Sequence, residues 1–181
     1  MMSRCQAHRG PDAEGFYLSP ANNVVFTHRR LAIIDLSEDG RQPMTDPETG
    51  NVIAFNGEIY NFREVKQELA GLGAAFHTRS DTEVILKAYR QWGTGCLSRL
   101  RGMFALVLRD NRTGRILMAR DRTGIKPLYY GQSNRESGGG PLLLFASEVR
   151  SLLATGLFGG RIDPTSLASC LWNGFVVGDG T

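Results

Sequence analysis

The chain predicts an α+β domain built from layered antiparallel sheets with helices packed on them. Three observations carry this. Short apolar runs rich in β-branched residues alternate with Gly-, Pro-, Asn- and Asp-rich turns, these runs fall into two groups, and amphipathic helical stretches lie between and after the groups. At 181 residues the chain suits one domain with a substantial core, or one domain and the start of another.

The first residues are short and polar, and RGPD at 9–12 follows at once as a turn. The runs VVFT at 24–27 and LAII at 31–34 fit strands, and DPETGN at 46–51 turns the chain into VIAF at 52–55, which reads as a buried strand. Asn56-Gly57 after it is a turn signal, so the strand is expected to end at Phe55. From Asn61, Val65, Leu69 and Leu72 recur at helical spacing, with Asn61 and Glu64 in a cap-like arrangement and Gly71 and Gly73 as the stop. A short strand is expected around Ala75, Phe76 and His77. Ser80 and Glu83 then form a capping-box pattern ahead of the stripe Val84, Ile85, Ala88, Tyr89 and Trp92, which Gly93 ends.

The runs 103–109 and 115–120 flank DNRTG and predict a hairpin, and 128–130 and 142–145 flank a polar, glycine-rich loop. That loop lacks the Lys-Ser/Thr of a phosphate cradle. Two short helices with polar caps are expected at 147–153 and 163–172.

The composition excludes several function classes. The net charge is +3, with 21 basic residues interleaved among 18 acidic ones and no run of five like charges, so a nucleic-acid or membrane-surface role has little support. Cys5, Cys96 and Cys170 form neither a CxxC pair nor a disulfide framework, which suits a reducing cytosol. His8, His28 and His77 lack metal-ligand spacing, so no metal site is expected. There is no signal-peptide core and no apolar run long enough to span a bilayer, and a cytoplasmic location is expected.

The most informative stretch is FNGEIYN at 55–61. A side-chain amide beside a sterically free backbone N–H can stabilise a developing oxyanion. The same pair also suits an ordinary turn, and taken alone both readings stand.

Set together in order, RGPD at 9–12, HRRLAIID at 28–35, FNGEIYN at 55–61, SDTEVI at 80–85, RGMFALVLRD at 101–110, ARDRTGIKPLYY at 119–130 and FASEV at 145–149 resemble the glutaminase domain of glutamine-hydrolysing asparagine synthetases, a class II glutamine amidotransferase domain. The resemblance runs from Met2 to about Leu153. It implies an N-terminal-nucleophile hydrolase fold, an αββα sandwich of antiparallel sheets. It divides the chain into an amidotransferase domain over 1–155 and, over 156–181, the start of a connection to a synthetase domain.

The resemblance also implies the chemistry. A cysteine thiolate attacks the side-chain amide carbon of L-glutamine, ammonia leaves from a tetrahedral oxyanion, and water hydrolyses the thioester to glutamate. An ATP- and Mg-dependent synthetase domain or chain then uses the ammonia to amidate aspartate. Asn56 and Gly57 match the oxyanion hole, and Arg30 matches the position that pairs with the glutamine α-carboxylate. Glu58 and Asp81 match positions contacting the substrate, with charge suited to its α-ammonium group. Asp81 also suits the first turn of a helix for its own sake, by about 0.3–1 kcal/mol. The backbone at Leu31, Ile33 and Ile34 is expected to complete the pocket, and Arg9 to hold a turn beside it.

The family's nucleophile is an amino-terminal cysteine whose free amine acts as its base. This sequence reads Met-Met-Ser-Arg at its start, so the first strand and the nucleophile are expected to be absent, and the chain to be a fragment inactive on its own. Cys5, with its amine in a peptide bond, does not fit the role. Two other readings stay open: a glutaminase-like module that holds glutamine without hydrolysing it, and the amidotransferase part of an enzyme with a different carboxylate acceptor. Oligomeric state is left open.

Overall fold

A computed structural model describes residues 1–21, 23–31, 40–133 and 141–177. Its centre is a four-stranded antiparallel sheet, ordered β3 (Met44–Thr45), β4 (Val52–Ile59), β5 (Gly102–Arg109), β6 (Ile116–Arg120). The apolar runs of β4 and β5 are continuous because both faces of these strands are covered. On one face Ile53, Phe55, Ile59, Phe104, Leu106 and Leu108 pack with Ile85 and Leu86. On the other, Val52 and Val107 pack with Phe26 and, at the margin, Tyr17, Leu128 and Phe145.

The helical layer follows from sequence period. In α2 (Phe62–Gly71), Val65 and Leu69 lie one turn apart and pack on Val84 and Ala88 of α3 (Asp81–Trp92) and on Cys96 in the 3-10 turn that follows. Each such side chain contributes about 1.5–3 kcal/mol when fully buried. Ser80 caps α3 by accepting the N–H of Thr82 at 3.2 Å, and Gly93, at φ 58°, ends it. Lys87, on the buried side of α3, meets Asp46 at 2.8 Å and Glu48 at 2.6 Å. A buried ammonium is tolerable only when so paired, and the pairing fastens α3 to the turn between β3 and β4.

The second strand layer holds two antiparallel hairpins, β1 (Ala13–Leu18) with β2 (Val25–Arg30), and β7 (Tyr129–Ser133) with β8 (Leu142–Ala146). Phe26 of β2 meets Phe145 of β8 edge-on, with ring centroids 5.5 Å apart. Helix α4 (Val149–Leu153) packs on β7 and β8, and α1 (Met2–Cys5) on α4 and β2. Helix α5 (Pro164–Asn173) is capped by Asp163, which accepts the N–H of Ser166 at 2.7 Å. Helices, sheet, strands and helices in succession give the expected αββα order.

Several local expectations need correction. Strand β4 does not end at Phe55: it continues through Asn56, Gly57 and Glu58, each paired across to β5, so Asn-Gly is strand and not turn. Tertiary pairing overrides the turn preference here. No strand forms at Ala75–His77, because the N–H groups of His77 and Thr78 donate to the Glu83 carboxylate at 2.9 and 2.7 Å. Glu83 therefore does not close the reciprocal capping box with Ser80. Asn61 is the N-cap of α2 without a side-chain cap bond; its amide instead bridges Arg99 O and Arg101 N–H. Strand β1, directly after RGPD, was not anticipated. Of the expected strand at 31–34, Leu31 lies just beyond β2 in irregular backbone, and 32–34 fall outside the described residues.

Candidate active site

The site is built around the last half of β4. Register pairs Asn56 with Ala105, Gly57 with Phe104 and Glu58 with Met103. Phe104 turns its own N–H and C=O to the far side, where they meet Asp121. Antiparallel hydrogen bonding alternates, so Phe55, Gly57 and Ile59 direct their backbone groups away from β5, to the edge that β3 leaves open. Along that edge Phe55 N–H donates to Gln42 Oε1 at 2.6 Å, Phe55 O accepts from His28 Nε2 at 3.0 Å, and Ile59 N–H donates to Asp81 Oδ2 at 3.0 Å. Between them, the N–H of Gly57 has no hydrogen-bond partner among the described residues.

Gly57 is required by its neighbours. A Cβ there would stand 2.1 Å from Met103 O and 2.7 Å from Phe104 Cα. The strand behind it is held firmly, since the Asp121 carboxylate takes the N–H groups of Lys126 (3.0 Å), Ile125 (2.9 Å) and Phe104 (3.1 Å) and the hydroxyl of Thr123. Those donors, Lys126 N–H first, hold the Asp121 carboxyl well below the usual carboxylate range.

Side chains alternate across a strand. Val52 and Ala54 face the second strand layer, so Asn56 and Glu58 face it too. From the opposing layer β2 directs Phe26, His28 and Arg30 inward by the same rule. The Asn56 Nδ2 is buried and has no hydrogen-bond partner among the described residues. A buried amide donor left unmet is rare and calls for an explanation. It sits one residue from the unmatched N–H of Gly57.

Arg30 ends β2. Its backbone is gripped by the RGPD turn: Asp12 N–H donates to Arg30 O at 3.1 Å, and a Cβ on Gly10 would fall 2.4 Å from the Arg29 carbonyl carbon and 2.6 Å from Arg30 N. Asp81 is buried at the start of α3 and reaches the end of β4 through Ile59. Burial pushes its carboxyl above the usual range and the nearby Glu58 charge adds to that, against the N–H bonds from Ile59 and Thr82. Two acids so placed favour a cationic ligand group. Burial also lowers the His28 imidazole from 6.5, with Arg30 adding to the effect against its bond to Phe55 O. His28 is thus neutral at pH 7 and carries its proton on Nε2, since a carbonyl only accepts.

Of the sequence-predicted positions, Asn56, Gly57 and Glu58 lie in the second half of β4, Asp81 meets the last residue of that strand through Ile59 N–H, and Arg30 ends β2 in the opposing layer. Leu31 is exposed, and Ile33 and Ile34 lie outside the described residues. His28, Gln42 and Gly10 were missed as supports. The i, i+2 spacing of Phe26, His28 and Arg30 was the available signal for His28. Cys96 is buried against Val65 and Leu69, its thiol pushed up to about 11, and Cys170 is exposed on α5. Among the described residues no cluster of His, Cys, Asp or Glu is set to hold a metal ion, and no helix is long and apolar enough to cross a membrane.

Antiparallel sheet layers flanked by helices are the fold expected of a glutamine amidotransferase domain. The chain belongs to the family described as "Glutamine amidotransferase domain", whose profile matches residues 1–181. It is 37% identical over 169 residues to asparagine synthetase [glutamine-hydrolyzing] 3 of Bacillus subtilis, covering 92% of this chain and 26% of that protein. It is 42% identical to amidase chry2 of Gibberella zeae, covering 83% of this chain and 22% of that one. Among solved structures it resembles the glutamine phosphoribosylpyrophosphate amidotransferase of B. subtilis, with a TM-score of 0.57 and 23% identity over 73% of this chain and 29% of that chain. That likeness concerns the fold. The chain spans about a quarter of the length of the curated relatives it matches.

Proposed function

We propose that this domain binds L-glutamine and stabilises the oxyanion formed when its side-chain amide is attacked, so that ammonia is delivered to an ATP-dependent amidation of aspartate. The observation that carries this is the pair of adjacent donors, Asn56 Nδ2 and Gly57 N–H, neither with a partner among the described residues. Two N–H groups fixed in a strand need no reorganisation as charge develops on the carbonyl oxygen. Arg30 takes the α-carboxylate in a forked contact, and Asp81 with Glu58 takes the α-ammonium. Leu31 extends the proposed pocket, and the family resemblance assigns Ile33 and Ile34, outside the described residues, to the same role.

The nucleophile the family resemblance implies is an amino-terminal cysteine. Cys5, Cys96 and Cys170 do not fit it, and the roles proposed here for this chain are recognition and oxyanion stabilisation. ATP and Mg belong to the synthetase part, and a cytoplasmic location goes with the reading.

Titration calorimetry of the chain with L-glutamine tests recognition. We expect measurable binding that weakens at least tenfold in Arg30→Ala and in Asp81→Ala. Absence of heat from a folded chain at millimolar glutamine would overturn it. In a glutamine-hydrolysing protein that contains this domain, Asn56→Ala is expected to lower glutamine turnover by about 10²–10³-fold. Binding without any turnover there would favour a non-hydrolysing module.

A further inference from the structure

We propose that a second cleft, at the end of the domain away from Asn56, binds a small molecule bearing two or more phosphate groups. This cleft has a volume of about 600 Å³ and is lined by Thr49, Tyr89, Arg90, Arg112, Thr113 and Arg115, together with Asp110. It gathers the start of β4, the last turn of α3 and the β5–β6 turn. Five residues of extended strand separate Asn51 at its wall from Asn56, roughly 16 Å at 3.3 Å per residue, so it is a different site from the glutamine pocket.

Charge decides the ligand class. Three guanidinium groups from two elements border one cavity. Arg90 is shared with Glu48, whereas Arg112 and Arg115 have no carboxylate partner among the described residues. The one acid of the wall, Asp110, is already engaged, with Oδ1 accepting Thr113 N–H at 2.9 Å and Oδ2 accepting the Tyr89 hydroxyl at 3.2 Å. The carboxyl end of α3 also opens here and carries a partial negative charge of about one half. Asp110 and the shared Glu48 offset two of the three guanidinium charges, and the wall keeps a net positive charge carried by Arg112 and Arg115. Guanidinium forks match the paired oxygens of phosphate. The volume lies within the usual range for small-molecule sites, about 300–1,000 Å³, and exceeds what one inorganic ion fills.

Calorimetry of the 181-residue chain with pyrophosphate, in buffer of about 0.15 M ionic strength, is the test. Binding at submillimolar Kd is expected, weakened about tenfold by Arg112→Ala and again by Arg115→Ala. Both side chains are exposed, so the fold survives their loss; matched melting temperatures check this. Arg63→Ala, on α2, should leave the affinity unchanged, as should saturating L-glutamine. No binding, equal binding of citrate and pyrophosphate, or affinity indifferent to Arg112 and Arg115 would each overturn the proposal.

Discussion

Replacing Asn56 by alanine should stabilise the ligand-free domain or leave it unchanged, although buried polar truncations ordinarily destabilise. The Asn56 Nδ2 is buried without a partner among the described residues, and an unmet buried donor costs about 1–3 kcal/mol. Alanine removes that cost. Against it stands a void of roughly 40 Å³ where the amide was, worth about 1 kcal/mol at ~24 cal/mol per Å³. The balance is a gain of about 0–2 kcal/mol. For a domain of this size each kcal/mol moves the melting temperature by about 2–4 °C, so a rise of up to about 8 °C is expected. Thermal melts by circular dichroism, with and without glutamine, would measure it. A fall of more than about 4 °C would mean that the amide is satisfied in the free protein, and the argument for a waiting oxyanion donor would fail with it. The same substitution that steadies the fold should cripple turnover, an opposition expected of functional sites.

Other outcomes follow from the same geometry. Gly57→Ala forces a Cβ to within 2.1 Å of Met103 O, and overpacking of this kind costs about 1–3 kcal/mol; denaturant melts should show the loss, and an unchanged midpoint would contradict the strand register. Lys87→Ala strands Asp46 in a buried position and should cost about 3–5 kcal/mol, whereas replacing Lys87 and Asp46 together by apolar residues should cost far less. Asp81→Asn keeps an acceptor for Ile59 N–H. Because the folded Asp81 carboxyl is raised above its ordinary 3.8, its contribution to stability is present below that pH and lost as pH rises through the folded value. The variant should therefore match or exceed the parent at pH 7 and lose that advantage near pH 4. Asp46, lowered on balance by Lys87 and Thr49 despite its burial, acts oppositely, its contribution disappearing as pH falls below about 4.

Much of this was legible in the residues. Helical period and the Ser80 and Gly93 signals located α3, and the hairpin flanking residues 110–114 needed only turn chemistry and β-branched runs. Motif order pointed to Asn56, Gly57 and Arg30. What sequence could not supply was the state of individual donors. That Gly57 faces an open edge depends on which β5 residues turn toward β6, a fact of long-range register. The Asn-Gly pair misled because local turn preference was judged without the partner strand. Likewise the Glu83 carboxylate reaches back to His77 and Thr78, which spacing alone assigned to Ser80.

The open edge of β4 has a consequence for solubility. An unpaired strand edge invites another chain to add to it. Here Gln42, His28 and Asp81 occupy its hydrogen-bonding positions at Phe55 N–H, Phe55 O and Ile59 N–H, and the N–H of Gly57 is left without a partner among the described residues. An incoming strand would find half of the positions from Phe55 to Ile59 already taken. The side chains that cap this edge thereby act as a guard against aggregation, and replacing Gln42 or Asp81 by alanine should open it to self-association, which light scattering would register.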